Sequence, residues 1–151
     1  MANLQVQVDD RARLVTAVLA ASDWPAIEQE QFPHATHAQA KLTRQFVEPL
    51  RGHTAVTGIN QSMLNGVELD EMFSAALRCH WPDFSPTEPL PRVLQIDSWV
   101  ASLADFAAMS DIATAFWPEH EAVWDTAAAE LRAIFPDDRL LQFLSQMRGQ
   151  P

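Results

Sequence analysis

The chain has 151 residues, of which 48% are hydrophobic, and its formal net charge is −10. This size and apolar fraction indicate a globular domain with a real core and exclude a disordered chain. The excess of carboxylates excludes non-specific nucleic-acid binding, which needs Lys and Arg opposite the phosphates, and docking on an anionic membrane surface. We therefore expect neither a nucleic-acid partner nor a membrane partner.

The sequence contains nothing typical of a secretion signal or a membrane span. The start, MANLQVQVDDRAR, lacks a basic segment followed by an apolar core, and no run of about 18 apolar residues occurs. Cys79 is the single cysteine, which excludes an internal disulfide and fits a reducing compartment. We expect a cytoplasmic protein.

The first residues alternate between apolar and polar side chains, with Leu4, Val6 and Val8 on one side. This alternation is typical of a short β-strand, but no other segment offers a partner strand. Residues 1–8 are therefore expected to be extended, or to pair with something outside the chain. The second option is a hint that these residues belong to a longer protein.

Helical signals, each with its own start or stop signal, fill most of the remaining chain. Helices are predicted from residue 9 or 10 to about 21, and over about 36–50, 54–65, 68–80, 93–109, 110–117 and 118–135, with a last helix after 137 and a helical turn at 26–29. The second of these begins with Thr36 and Gln39 as a capping box. The predicted inward-facing residues are Leu14, Val15, Val18, Leu19, Ala38, Leu42, Phe46, Leu50, Val56, Ile59, Met63, Leu69, Met72, Phe73, Ala76, Leu77, Ile96, Val100, Leu103, Ala107, Leu140, Leu141, Leu144 and Met147.

A proline-rich connector lies in the middle of the chain. Residues 81–92, WPDFSPTEPLPR, contain four prolines, and Trp81 and Phe84 are expected to pin the connector to the core. The pieces on either side are too small to be convincing separate domains. We therefore predict a single domain over 1–151, with residues 81–92 as a rigid segment inside it.

The helix predicted over 118–135 has the longest helical signal and dominates the pattern. Its apolar residues fall on one arc at about 100° per residue: Val123, Trp124, Ala127, Ala128, Leu131, Ile134 and Phe135. His120 falls near the middle of that arc, between Trp117 and Trp124. It is either a ligand or general base, or a core histidine with one hydrogen bond, and no second ligand stands at helical spacing.

Three further histidines are candidates for a polar or ligand site. His34 and His37 form H-x-x-H, a ligand spacing, although a helix start at Thr36 would separate them. His53 lies near the start of the third helix, where a hydrogen bond to the backbone also explains it. His80 is predicted to end the fourth helix as a cation favoured by the dipole, and Cys79 is predicted to be structural.

Motifs for the common catalytic chemistries are missing from the sequence. There is no HExxH, no nucleophile elbow and no cluster among the four glycines. We therefore assign no catalytic and no metal residue within these 151 positions.

Three short motifs, in order along the chain, resemble those of a known family. They are VDDRARL at 8–14, FVEPLRGHTAV at 46–56 and, after the proline-rich stretch, DFAAMSDIATAFWPEHEAVW at 105–124. They resemble the helical N-terminal region of a bacterial family of uncharacterised proteins thought to be zinc-dependent HExxH metallopeptidases. The resemblance covers nearly the whole chain and matches His53 and His120 to family histidines. It departs at Thr54, where the pattern has proline, and at Trp124, where it has tyrosine.

Together these observations predict an all-α fold, an irregular array of about six to eight helices with the option of one short N-terminal strand. The resemblance implies a non-catalytic N-terminal part of a metallopeptidase-like protein, which packs against a domain outside this chain. Zinc would enter only with that outside segment. The alternatives are a free-standing acidic module that binds a protein or ligand or self-associates and, third, a small enzyme or metal binder using His34, His37, His53 or His120.

Overall fold

The computed structural model describes residues 6–93 and 96–134, which are mainly helical and contain no β-strand. Within them the α-helices are α1 (Asp10–Ala21), α2 (Trp24–Gln31), α3 (Ala38–Val47), α4 (Thr54–Leu64), α5 (Leu69–Leu77), α6 (Ile96–Ser110) and α7 (Glu121–Ile134). A 3₁₀ turn, Glu48–Leu50, follows α3, a π-helical turn, Ile112–Phe116, follows α6, and a 3₁₀ turn, Pro118–His120, precedes α7. The all-α prediction is confirmed.

The chain forms two compact units. The larger unit, Asp9–Pro118, contains α1 to α6 and the π-helical turn. The smaller unit combines Met1–Val8 with Glu119–Pro151, so its described part is residues 6–8 and 119–134. The single domain over 1–151 stays a prediction.

Helix α1 is the centre of the larger unit and packs against α2, α3, α4, α5 and α6. It begins at its N-cap Asp9, whose carboxylate accepts the Arg11 backbone N–H at 2.9 Å and so satisfies one free donor of the first turn. The predicted inner face is buried as expected, at Leu14, Val15, Val18 and Leu19. The organising helix is thus α1, and the stretch with the longest helical signal lies mostly in the other unit.

Helices α4 and α6 approach each other closely because α4 carries a glycine at the contact. A Cβ at Gly58 would lie 2.9 Å from Cδ1 of Trp99. The Trp99 ring therefore rests on the α4 backbone, and its Nε1–H donates to the Ala55 carbonyl at 3.0 Å. Trp99 is 4% exposed, so this hydrogen bond satisfies the one polar atom of a buried ring.

The proline-rich connector is pinned to the core, as the sequence predicts. Phe84 is buried and Trp81 is half-buried, with their rings edge to face at 5.8 Å. Trp81 also packs on Trp117 at 5.6 Å, and the Arg13 guanidinium lies 4.2 Å from the centre of the Trp117 ring. These side chains fasten the connector to α1 and to the end of the larger unit.

The predicted start of α3 is wrong, and its predicted face is covered only in part, since Phe46 and Leu50 pack on the core. The N-cap is His37 and not Thr36, because the His37 ring accepts the Gln39 backbone N–H at 3.2 Å. The buried residues are Gln39 and Val47, whereas Leu42 is 42% exposed. Of the predicted stripe, Ala38 is exposed and Phe46 and Leu50 are half-buried. The buried face of α3 differs from the apolar stripe in the sequence because packing against neighbouring helices determines which residues are buried.

The end of α5 also differs from the prediction. The helix ends at Leu77, which is 43% exposed, and Cys79 then forms an isolated antiparallel bridge with Pro86. His80 therefore does not end a helix; its N–H donates to the Ser85 carbonyl in the connector turn. The residues after α5 hydrogen-bond to the connector, and the helix ends three residues before its predicted end at His80.

Two further predictions concern the chain's ends. Residues 6–9 are irregular and not a strand, and Leu4 lies outside the described residues. The helix predicted after 137, with Leu140, Leu141, Leu144 and Met147, also lies outside them. The helix predicted over 118–135 is present over its described residues, 118–134, with a first turn of 3₁₀ geometry, Pro118–His120, that leads directly into α7.

Candidate functional site

His53 is tied to the fold through both ring nitrogens. Nδ1 accepts the Ala55 backbone N–H at 3.1 Å, which makes His53 the N-cap of α4 and leaves the ring proton on Nε2. Nε2–H then donates to Oδ2 of Asp105 at 2.9 Å, and the ring packs edge to face on Phe106 at 5.4 Å. The His53 side chain is 6% exposed. A histidine held in this way offers no free lone pair to a metal or a substrate proton.

His34 and His37 make different hydrogen bonds. His37 uses Nδ1 as a cap acceptor, whereas Nδ1 of His34 donates to the Phe32 carbonyl at 2.8 Å. Both side chains are exposed. No group of three or more His, Cys, Asp or Glu suited to a metal ion occurs in the described ranges 6–93 and 96–134.

His120 ends the 3₁₀ turn before α7 and is half-buried. It belongs to the smaller unit, whereas Trp117 belongs to the larger one. His120 thus lies in the first turn of the predicted helix, which is a 3₁₀ turn directly before α7 begins at Glu121.

Charged side chains at the start of α1 form a cluster of hydrogen bonds that stabilises the fold. Nε and Nη2 of Arg11 donate to the Asp9 carboxylate at 3.0 and 2.6 Å. Nη1 donates to the carbonyls of Leu77 and Cys79, at 2.8 and 2.9 Å, and so ties α1 to the end of α5. The hydrogen bond from Arg11 lowers the pKa of Asp9, against the opposing effect of its burial.

Cys79 behaves as a structural residue. It is fully buried, and its thiol donates to the Ala75 carbonyl at 3.3 Å. Burial raises the pKa of the Cys79 thiol, although the Arg11 charge nearby opposes this. A thiol held neutral in this way is a poor nucleophile.

The three motifs that carry the family resemblance meet in the larger unit. The Arg13 guanidinium of the first motif lies 4.2 Å from the centre of the Trp117 ring of the third. Phe46 of the second stacks on Phe116 of the third at 4.6 Å, and His53 of the second bonds Asp105 of the third. These motif residues make contacts between helices. Packing within the larger unit therefore accounts for the motif residues that lie in it.

The sequence reasoning missed Asp105 as the partner of His53. The two residues are 52 positions apart, so no helical spacing connects them. The only signal was that both lie within motifs of the resemblance, at 46–56 and 105–124.

Helix α7 has a row of exposed apolar side chains along one face. Val123 is 41%, Leu131 46% and Ile134 65% exposed, and Ala127 between them is exposed as well. We call these four residues the α7 stripe. The other edge of the same apolar arc is covered, since Ala128 is buried and Trp124 is half-buried. The arc predicted from the sequence is real, but only half of it is buried.

The α7 stripe is long enough to hold a segment of another protein. Its members lie four, four and three residues apart, so they share one side of the helix over about 16 Å. Scattered exposed apolar residues are ordinary, whereas neighbouring ones on one helix face form the kind of patch that protein interaction surfaces use. The stripe is the candidate functional site of the described chain.

No protein-family model, curated protein or solved structure matches this chain. The resemblance to the metallopeptidase-like family stays a prediction that rests on its motifs. None of the described helices combines the length and apolar character needed to cross a bilayer.

Proposed function

We propose that this chain is a non-catalytic helical domain that acts by binding another protein surface. The observation that carries the proposal is the α7 stripe, a row of apolar side chains on one helix face left open to solvent. Two of the candidate histidines support it, because both ring nitrogens of His53 and Nδ1 of His37 are used to hold helices.

The family resemblance supplies one form of this proposal. In that form the chain is the helical N-terminal region of a zinc metallopeptidase-like protein, and the surface it binds belongs to a catalytic domain outside these residues. Zinc would be held there, by HExxH. The alternative form is a free-standing module whose partner is a separate protein, and the α7 stripe supports that form equally. In both forms we propose a cytoplasmic protein without a nucleic-acid partner, consistent with the buried free thiol and the charge of −10.

A peptidase assay with added zinc tests the non-catalytic part of this proposal. The 151-residue chain, incubated with an unfolded protein substrate and zinc, is expected to release no peptides above a protein-free control. Proteolysis that a chelator abolishes, and that survives purification on two different columns, would overturn the proposal.

The mass of the protein in its source cells separates the two forms. A mass well above the 16.9 kDa of this chain supports a domain of a larger protein, and the extra segment should then contain HExxH. A mass equal to this chain supports the free-standing module.

A further inference from the structure

The charges around the α7 stripe indicate what kind of segment it accepts. Glu130 lies seven residues after Val123 and four before Ile134, which places it at the edge of the stripe on the same side of the helix. Glu119, Glu121, Asp125 and Glu130 are all exposed on α7 and the turn before it. The stripe is therefore an apolar row on an acidic helix.

The one basic residue of α7 is already used within its own unit. Arg132 donates from Nε and Nη2 to the Val6 carbonyl, at 3.1 and 2.9 Å. This guanidinium is thus directed to residues 6–8 and does not balance Glu130 at the edge of the stripe. The described residues of this unit, 6–8 and 119–134, contain no other Lys or Arg, so a basic partner would complement the charge at the edge of the stripe.

Resting on the proposed function, we infer that the α7 stripe binds an amphipathic helix of another protein whose apolar spine is flanked by Lys or Arg. A row of four side chains along one helix face matches a second helix laid beside it, with its ridge between these residues. The basic flank faces Glu130, and the chain's charge of −10 attracts a basic segment as it approaches.

The same charges disfavour a second copy of this chain as the occupant. Two copies related by a two-fold axis would bring equal charges of −10 together. Two Glu130 carboxylates would also lie at one interface without a free cation from α7. A separate basic helix meets neither penalty.

An NMR titration of the isotope-labelled full chain tests this inference. The probes are two synthetic amphipathic helical peptides with the same leucine spine, one flanked by lysines and one by glutamates. The lysine peptide is expected to shift the amides of Val123, Ala127, Leu131 and Ile134, and the glutamate peptide is expected to bind at least about tenfold more weakly. Raising the ionic strength from about 0.05 to about 0.5 M should weaken the lysine peptide's binding.

Three variants locate the contact. Leu131→Ser should weaken the lysine peptide about tenfold or more, because the apolar contact is lost. Met109→Ser, which changes an exposed apolar residue of α6 in the other unit, is the matched control and should leave binding unchanged. Glu130→Lys should reverse the preference between the two peptides.

The outcomes distinguish failure of this inference from failure of the proposed function. Equal binding of both peptides, binding of the glutamate peptide alone, or a dimer that Leu131→Ser converts to monomer would overturn the basic helix and leave a protein-binding surface. An unfolding midpoint lowered clearly further by Leu131→Ser than by Met109→Ser would show that the chain itself covers the stripe, and would overturn both.

Discussion

At the residue scale, a histidine that caps a helix through Nδ1 carries no proton on that nitrogen, because Nδ1 accepts a backbone N–H. His37 and His53 both accept a backbone N–H through Nδ1, but only His53 also donates to a carboxylate, that of Asp105. His37 and His53 therefore share the capping hydrogen bond, and only His53 has the additional hydrogen bond to a carboxylate.

Replacing each of these histidines by asparagine should affect stability differently. Asparagine is a better N-cap than histidine, so His37→Asn should leave the free energy of unfolding unchanged or slightly higher. His53→Asn keeps the cap but loses the bond to Asp105 and the packing on Phe106, and should lower the free energy by about 1–2 kcal/mol. Urea unfolding followed by circular dichroism measures both. Equal effects at the two positions would contradict the role given to Asp105.

Asp9 combines a helix cap with the ion pair to Arg11, and its lowered pKa makes the contribution depend on pH. A carboxyl whose pKa is lower in the folded state contributes stability above its unfolded pKa, and this contribution is lost as the pH falls through the folded value. Asp9→Ala should therefore cost about 1–2 kcal/mol near pH 7. Asp9→Asn, which keeps an acceptor for the cap, should cost less.

The pH dependence of these variants gives the stricter test. The gap in unfolding free energy between the natural chain and Asp9→Asn should narrow as urea titrations are repeated from about pH 7 to about pH 3. Asp97→Ala, which removes an exposed carboxylate from the first turn of α6, is the control. A gap at Asp9 that stays constant over this range would contradict the ion pair.

At the scale of elements, the contact between α4 and α6 depends on the missing side chain at Gly58. Gly58→Ala should gain about 1 kcal/mol from helix propensity. The new Cβ, 2.9 Å from Trp99, must displace a buried ring and strain its bond to Ala55, at a cost of about 1–3 kcal/mol for overpacking and about 1 kcal/mol for the hydrogen bond. We expect the free energy of unfolding to fall by about 1 kcal/mol or more.

Gly52 supplies the matched control for this substitution. A Cβ at Gly52 would meet nothing within 4 Å, so Gly52→Ala should be neutral or slightly stabilising. Thermal unfolding of both variants beside the natural chain separates the close contact from the general effect of replacing glycine. A Gly58→Ala chain as stable as the natural one would contradict the close packing of Trp99.

The helices themselves were largely predictable because their signals are local. The start of α1 at Asp9, the end of α4 before Gly66 and the core of α6 follow from caps, turn residues and a repeating apolar pattern. The face of α3 and the end of α5 were not predictable, since each depends on what packs against it. Thr36 and His37 are neighbours, and only the structure shows which one caps the helix.

At the scale of the whole molecule, the sequence could identify apolar arcs but not whether they are covered. The arc of α1 is buried throughout, whereas that of α7 is buried at Ala128 and open at Leu131. Both are helices with one apolar face. Coverage depends on neighbours distant in sequence, and for that reason the candidate site was hidden within a pattern that predicts a core.

The hydrogen bonds from Arg132 to Val6 have a consequence for the order of events during synthesis. They join residues 126 positions apart, while the larger unit runs without interruption from Asp9 to Pro118. Every residue of the larger unit is therefore synthesised before Arg132, and the contacts of that unit do not depend on the helix that carries Arg132. Residues 6–8 must wait for their partner until that helix emerges, at a loop-closure cost that grows only slowly with the length between them.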